Sequence, residues 1–274
     1  MKNTFLAALF VSSIAGSAFA AVTDYPVDVY SRPTVLPAGV FEGNLDVAIN
    51  LSDDTAFKST LVSPNIRYGV NDSLTVGLFH GRTGSLLNQG SLCLGDNCGK
   101  TYNNVAAEAQ YQLSRGETSV AFIGSLEANA LDPELALGLR VGADVRIKTG
   151  DKLMVQLVPQ LGFGITNRDL DANLGIATLS VPYNRDYLNM PVLLNFKQTE
   201  NLNLQLITGL AGSLSGIDFG DSYRVPAGVG AVYATSDHTV DLGARFVFPA
   251  LIAAEGIQDG IKARELGLFV TFRN

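Results

Sequence analysis

The chain has 274 residues, of which 47% are hydrophobic and only 16% are charged. Soluble domains carry about 25% charged residues, so the surface of this protein is short of charge. The net charge of -7 argues against a nucleic-acid partner, which would bind a basic surface. Beyond the N-terminus there is no run of about 18 apolar residues, which argues against membrane-spanning helices.

The first residues have the pattern of a secretory signal peptide. Lys2 supplies a positive charge, Phe5 to Ala15 form a short apolar core, and small residues lead up to Ala20. Cleavage after Ala20 would start the mature chain at Ala21 and carry the protein out of the cytoplasm. A buried N-terminal helix is the alternative interpretation of the same residues.

Alternation of apolar and polar residues, which is the period of a β-strand, runs through nearly all of residues 38–274. In the first such segment, Phe41, Leu45 and Val47 alternate with Glu42 and Asp46. The pattern predicts an all-β fold. Its twelve strands are predicted to begin near Val40, Leu61, Leu74, Tyr102, Thr118, Leu135, Leu153, Tyr187, Leu202, Tyr223, Thr239 and Ala263.

Short and long connections alternate along the chain. The short ones are residues 71–73, 114–117, 148–152, 197–201 and 235–238. The connections between them are mostly longer, such as residues 81–101, 166–186 and 249–262. This asymmetry is typical of a transmembrane up-and-down antiparallel β-barrel, which has short periplasmic turns and longer external loops.

Charged side chains occupy the polar face of the predicted strands. A barrel would place this face in its lumen, whereas a soluble sandwich, the competing fold, would place it in water. The predicted lumen-lining residues are six acids and six arginines: Glu42, Asp46, Arg67, Glu108, Arg140, Asp144, Arg146, Arg224, Asp241, Arg245, Glu265 and Arg273. Equal numbers favour arginine–carboxylate pairs over a strongly ion-selective path.

Two features favour the membrane over the sandwich. Lysines are confined to connections and strand ends, and aromatic residues collect at strand ends as two girdles. The girdle beside the short turns comprises Phe41, Tyr68, Tyr111, Phe196, Tyr233 and Phe272. The girdle beside the long loops comprises Phe79, Tyr102, Phe163, Tyr187, Tyr223 and Phe248.

These features together resemble the porin-like outer-membrane β-barrel proteins of Gram-negative bacteria. The resemblance covers residues 38–274, and it includes the C-terminal sequence LFVTFRN. It implies a location in the cell outer membrane, contact with outer-membrane lipid, and insertion by the barrel-assembly machinery. That machinery reads a C-terminal aromatic residue, whereas here Phe272 is followed by Arg273 and Asn274.

Prolines mark two further features of the chain. Residues 21–37 contain Pro26, Pro33 and Pro37, too many prolines for a strand, and we expect this segment in the periplasm or in the lumen as a plug. The predicted organisation is therefore a signal peptide at 1–20, this segment at 21–37 and a barrel at 38–274. Four other prolines fall inside predicted strands, where they cannot donate to a ladder and call for bulges: Pro64, Pro159, Pro191 and Pro226.

The two cysteines, Cys93 and Cys98, are close together in the sequence. In an oxidising compartment we expect them to form one disulfide across a tight loop. A zinc site would need more ligands, and neither histidine is adjacent. Asp169 begins a run of oxygen ligands that lacks the Gly and Glu of an EF-hand, so we interpret it as a solvated acidic loop, with a weak external divalent-cation site as the alternative. No metal and no cofactor is predicted.

The sequence predicts a narrow, weakly selective pore for ions or small solutes, because a barrel with a radius of roughly 12 Å leaves little room between inward side chains. A closed structural barrel that presents external loops for binding or adhesion is the alternative. A barrel-embedded lipid-modifying enzyme is the third hypothesis. His80 lacks a serine two residues later and His238 lies in a predicted turn, so no catalytic residue is predicted.

Overall fold

The structure is a computed structural model that describes residues 25–52, 56–57, 59–80, 92–95, 98, 101–102, 104–132, 134–173, 178–216, 218–255 and 260–274, with side chains described outside 170–182. The predicted signal peptide and most of the loop at 81–101 lie outside these residues. So do most side chains of the acidic loop that begins at Asp169. Within the described part of the chain, no helix is long and apolar enough to cross a membrane.

Strands make up most of the described residues. Their bounds are β1 (Phe41–Asn50), β2 (Thr60–Asn71), β3 (Leu74–Phe79), β4 (Leu92–Leu94), β5 (Val105–Ser114), β6 (Thr118–Ala130), β7 (Ala136–Thr149), β8 (Leu153–Leu157), β9 (Gln160–Gly164), β10 (Asp169–Asn173), β11 (Thr178–Pro182), β12 (Tyr187–Lys197), β13 (Leu202–Ser213), β14 (Arg224–Ala234), β15 (Val240–Ala253) and β16 (Glu265–Arg273). Single 3-10 turns occur at Val29–Ser31, Phe219–Asp221 and Gly260–Lys262.

The strands close into one antiparallel barrel of twelve strand positions. Each barrel strand pairs with the barrel strand that precedes it, β8 and β9 together form one position between β7 and β12, and β16 returns to pair with β1. The prediction of an all-β, up-and-down barrel with twelve strands and alternating short and long connections is therefore confirmed.

Three strands lie outside the barrel wall. β4 pairs with the end of β2, and β10 and β11 form a separate hairpin. The sequence predicts residues 166–186 as a loop, whereas the structure forms the β10–β11 hairpin within it. The hairpin pairs only with itself, so it does not continue the alternation of the barrel wall that the prediction relied on. Tyr102 was predicted to start a strand, but it forms only a single bridge to Leu92, and β5 begins at Val105.

The described part of the barrel wall contains five prolines, each where a strand ladder is interrupted. Four were predicted inside strands, and the fifth, Pro249, lies in β15 at the register shift opposite Pro226, although the sequence predicted a connection from residue 249 onward. Pro159 separates β8 from β9, and Pro191 of β12 faces the same gap, where its carbonyl accepts from the Val158 amide at 3.0 Å. Pro226 lies at a register shift between β14 and β15. Pro64 lies where β2 changes partner from β4 to β3. A missing N–H therefore removes no regular ladder bond at these places.

The outward face of the barrel is apolar. Five of the six aromatic residues predicted at the short-turn end are exposed on it: Tyr68, Tyr111, Phe196, Tyr233 and Phe272. At the long-loop end, Phe163 is exposed, but Phe79 is buried and Tyr187 binds an inward carboxylate. The prediction of Phe79 and Tyr187 as girdle residues is wrong, because their positions in the alternation place them on the inward face.

Candidate functional site: the charged interior of the barrel

Strand register places the twelve predicted lumen residues on one face of the wall. Residues that oppose each other across a ladder share a face. Glu42 opposes both Arg67 and Arg273, which fixes the face for β1, β2 and β16. The same face continues from strand to strand around the barrel through Gly77, Glu108, Ser125, Arg140, Gln160, Asn189, Ala211 and Arg224. The exposed Leu and Phe side chains lie on the other face, so this one is inward.

At the short-turn end, four charged side chains form a continuous cluster that we call the mouth cluster: Arg32, Glu42, Asp241 and Arg273. Arg273 donates to Glu42 and to Asp241, each at 2.7 Å. Arg32 donates twice to Asp241, at 2.6 and 2.8 Å. The Tyr25 ring contacts both guanidinium groups, with centroid distances of 5.4 Å to Arg32 and 4.9 Å to Arg273. No side chain of the mouth cluster is more than 8% exposed.

A second cluster lies in the middle of the wall formed by β5, β6 and β7. Arg140 donates to Glu127 at 2.6 Å and to Glu108 at 2.9 Å. The Tyr187 hydroxyl donates to the other oxygen of Glu127 at 2.9 Å, and Gln110 donates to Glu108 at 2.8 Å. The Arg140 and Glu108 side chains have no exposed surface. We call this group the central cluster.

A third group, a single ion pair, lies on the wall opposite the central cluster. Arg245 of β15 donates twice to Asp46 of β1, at 2.8 and 2.9 Å. These side chains are 18% and 17% exposed, so water reaches this pair. Arg245 and Asp46 lie on two strands that are separated by β16.

The remaining predicted lumen residues extend these groups. Arg67 links the mouth cluster to the central cluster, because it donates to Glu42 at 3.3 Å and to Gln110 at 3.5 Å. Arg146 pairs with Asp144 on the same strand at 2.9 Å. Glu265 is partly buried opposite Val247, and Arg224 lies exposed at the long-loop end of β14.

Residues 25–37 cross the short-turn end of the barrel and contact side chains from several strands. The Leu36 amide donates to Thr75 of β3 at 2.7 Å, and the Thr34 hydroxyl donates to Gln112 of β5. Val35, Leu36 and Thr34 are each 1% exposed. Together with the Arg32 hydrogen bonds to β15, these contacts place the segment inside the mouth of the barrel.

The two ends of this segment are held by specific contacts. At its C-terminal end the backbone fits against Gly69 of β2, where a Cβ atom would lie 1.9 Å from the Pro37 carbonyl oxygen. Nearer its N-terminal end, Asp28 pairs with Lys197 of β12 at 2.9 Å. Burial alone would raise the pKa of Asp28, but hydrogen bonds from Lys197 and Ser31 hold that pKa below its usual value.

The long-loop end carries separate contacts. Cys93 and Cys98 form a disulfide, with their Cα atoms 5.5 Å apart, so that prediction is confirmed. Arg168 donates to both oxygens of Asp186 at 2.9 Å, and these hydrogen bonds hold the pKa of Asp186 below its usual value. The Asp169 carboxylate accepts from Arg185.

No known family model matches the sequence, and no curated protein matches it. Solved structures do match. The NanC porin has a TM-score of 0.56 at 8% identity over 84% of this chain and 98% of that one. The KdgM porin in complex with disordered oligogalacturonate gives 0.54 at 8% identity, with the same two coverages. An outer-membrane channel from Pseudomonas putida F1 gives 0.56 at 16% identity over 88% of this chain and 97% of that one.

The chain has the fold of an outer-membrane β-barrel. At identities this low the likeness extends to the fold alone, so the solutes of those channels are not carried over by it. What the barrel can do depends on its interior, where most inward charges are paired within the wall. Each arginine–carboxylate pair is a dipole whose charges nearly cancel, so the electric field inside the barrel is small.

Among the charged residues of this barrel interior that sequence reasoning missed are Glu127 and Arg32. Glu127 shares its face with Ser125 on β6 and opposes Gly138, next to Arg140, so its place in the alternation was a usable signal. Arg32 had no such signal. It lies in the proline-rich segment and its partner, Asp241, is 209 residues away in the chain.

Proposed function

We propose that the protein is a narrow, weakly selective pore for ions or small solutes. The observation that carries the proposal is a closed barrel whose inward face is lined by arginine–carboxylate pairs. A polar lining supports the passage of water and polar solutes, and pairing within the wall leaves little net charge to select among ions. The similarity to solved outer-membrane channels supports the same class of function.

We propose that the open passage follows the wall formed by β15, β16 and β1. The Asp46–Arg245 pair on this wall keeps about a sixth of its side-chain surface exposed, at 17% and 18%. The central cluster on the opposite wall has Arg140 and Glu108 side chains with no exposed surface. Water therefore reaches the Asp46–Arg245 pair and is excluded from the Arg140–Glu108 pair, which supports a passage along the first wall.

We propose that residues 25–37 narrow or close the short-turn mouth of this passage. The charges of the barrel wall support a segment that can leave. Asp241 would keep Arg273, and Glu42 would keep both Arg273 and Arg67, if Arg32 moved out. Removal of the segment therefore strands no carboxylate of the mouth cluster without a cation.

The barrel fold and its channel neighbours support an outer-membrane location. We propose that the chain reaches this membrane after cleavage near Ala20. Outer-membrane lipid is then the proposed partner of its apolar outward face, and the barrel-assembly machinery its partner during insertion. Ions and small solutes are the proposed ligands of its lumen.

A closed structural barrel is the second candidate, and the segment inside the mouth favours it. If residues 25–37 stay in place, the external loops carry the function, as a surface for binding or adhesion. We propose no catalytic function. His80 supports this proposal, because its ring nitrogens lie 2.5 Å from the Pro64 carbonyl oxygen and 3.0 Å from the Tyr102 hydroxyl.

The test of the pore is passage of solutes through the refolded mature chain. The protein would be reconstituted into liposomes, and swelling would be followed with neutral and charged solutes of increasing size. We expect swelling with small solutes only, and a reversal potential near zero across a salt gradient in planar bilayers. Strong preference for one ion sign would contradict weak selectivity, and the absence of any permeation would favour the closed barrel.

A further inference from the structure

Glycines on the inward face of the barrel lie directly opposite large inward side chains of a neighbouring strand. Such an arrangement brings the large side chain against a position without a Cβ atom. The register pairs are Arg67 with Gly77, Tyr187 with Gly162, Phe269 with Gly243, and Arg245 with Gly267.

Arg245 shows what this arrangement permits. Its partner Asp46 lies on β1, two strands away, and β16 runs between them with Gly267 directly opposite Arg245. Neighbouring strands are about 4.8 Å apart, so the Arg245 and Asp46 side chains together must span roughly 10 Å along the wall. It does so by lying across Gly267, where a Cβ atom would be 2.6 Å from the Arg245 Nε atom and 2.7 Å from its Cγ atom.

Tyr187 also lies across a glycine of the neighbouring strand. It starts on β12 and lies over Gly162 of β9, and its hydroxyl donates at 2.9 Å to Glu127 of β6, with β7 between β9 and β6. A Cβ atom at position 162 would lie 2.0 Å from the Tyr187 Cε1 atom and 2.1 Å from its Cζ atom. An alanine there would displace the ring from the wall.

Glycine is required at Gly162 and Gly267 because a larger residue would clash, and not because of the backbone conformation. Neither Gly162 nor Gly267 has the positive φ that favours glycine over other residues. The atoms that a Cβ would meet belong to the crossing side chain and not to the backbone. The nearest atoms being those of the crossing side chain, we expect alanine to be tolerated at both positions when that side chain is removed.

We propose that Gly267 and Gly162 are crossing points that hold Arg245 and Tyr187 flat against the barrel wall, and so set the bore of the proposed pore and keep Arg245 paired with Asp46. With any larger residue at position 267, Arg245 rises into the lumen and separates from Asp46. The passage becomes narrower and the Asp46 carboxylate faces it. The effect on the bore rests on the proposed pore function. The crossing of the glycines by Arg245 and Tyr187 does not depend on that function.

The crossing is tested by a double-mutant cycle, read from the midpoint of the heat-dependent gel shift in detergent. Gly267→Ala is introduced into the wild type and into the Arg245→Ala variant. We expect it to raise the unfolding equilibrium constant about tenfold in the wild type and to leave it unchanged when Arg245 is absent. Equal destabilisation in both backgrounds would overturn the crossing, because it would place the clash elsewhere.

Gly43→Ala is the matched control. Gly43 lies on β1 with its face toward lipid, and its nearest neighbour for a Cβ atom is the Phe41 ring at 3.8 Å. We expect it to behave alike in both backgrounds. A second cycle with Gly162→Ala and Tyr187→Ala repeats the test at the other crossing point. We expect Gly162→Ala to destabilise the wild type and to have no effect in the Tyr187→Ala variant.

The bore is tested by single-channel conductance. We expect Gly267→Ala to lower the conductance, because Arg245 rises into the passage, and to leave the reversal potential near zero, because Arg245 carries its positive charge with it. Gly43→Ala should change neither value. A wild-type conductance for Gly267→Ala would overturn the assignment of the bore. Silence of a folded wild-type barrel, with and without residues 21–37, would instead overturn the proposed pore and its bore together, and the cycle would still decide the crossing.

Discussion

Arg140 and Arg245 lie on opposite walls of the barrel, and each binds carboxylates from other strands. Arg140 has no exposed side-chain surface and is surrounded by Glu108, Glu127 and the residues that bind them. Arg245 reaches Asp46 across a glycine and stays 18% exposed. Arginine–carboxylate pairs are thus shielded from water on one wall and reached by water on the other. The comparison separates a wall that holds the barrel together from a wall that borders the proposed passage.

The largest effect on stability is expected for Arg140→Ala. Removing the guanidinium leaves Glu108 and Glu127 buried without the cation between them, and breaking a buried ion pair costs about 3–5 kcal/mol. The measurement is urea unfolding of the detergent-refolded barrel. Arg224→Ala, on an exposed side chain, is the control and should change stability by less than about 0.5 kcal/mol. A loss below about 1 kcal/mol for Arg140→Ala would mean that water already reaches the central cluster.

Arg245→Ala should separate stability from selectivity. A partly exposed pair contributes about 1 kcal/mol or less, so unfolding should change little. The reversal potential should move toward cation preference, because Asp46 borders the passage without the Arg245 charge beside it. Arg140→Ala, where still folded, should not produce this shift. A larger loss of stability for Arg245→Ala than for Arg140→Ala would reverse the assignment of the two walls.

Arg32→Ala is expected to loosen the segment while the barrel stays intact. The two hydrogen bonds to Asp241 are lost, but Asp241 keeps Arg273, so the cost should be about 2 kcal/mol and fall on the segment alone. The measurement is the fraction of time that single channels spend open, which should rise. An unchanged open fraction would show that Arg32 does not hold the mouth closed.

The strands and their inward charged residues could be predicted from the sequence. Apolar and polar side chains alternate with a period of two in every strand that has an apolar outward face and a polar inward face. The twelve strand positions and the inward arginines are consequences of that period. The pairing of Arg32 with Asp241 is not, because the segment has no period and its partner is remote in the chain. The crossing of β16 by Arg245 depends on the register between strands, and alternation within a single strand does not specify that register.

The smallest effect is expected from Asp28→Asn, which removes the charge that pairs with Lys197. In the folded protein the pKa of Asp28 is below its usual value, so the ionised carboxylate adds stability above the unfolded pKa. This stability is lost as the pH falls through the lowered folded pKa. The gap between wild type and variant should be below about 1 kcal/mol at neutral pH and should vanish in strong acid. Gel-shift midpoints measured across pH check this, and a gap that widens in acid would contradict it.

The most direct test of the central claim is single-channel recording of two refolded chains in planar bilayers, the mature protein and the same chain without residues 21–37. Folding of both is established first by the heat-dependent gel shift. A narrow pore whose mouth is held by the segment predicts small or brief openings from the mature chain and larger, steady steps from the shortened one. A folded, shortened barrel that conducts no ions would contradict the pore and leave the external loops as the functional surface.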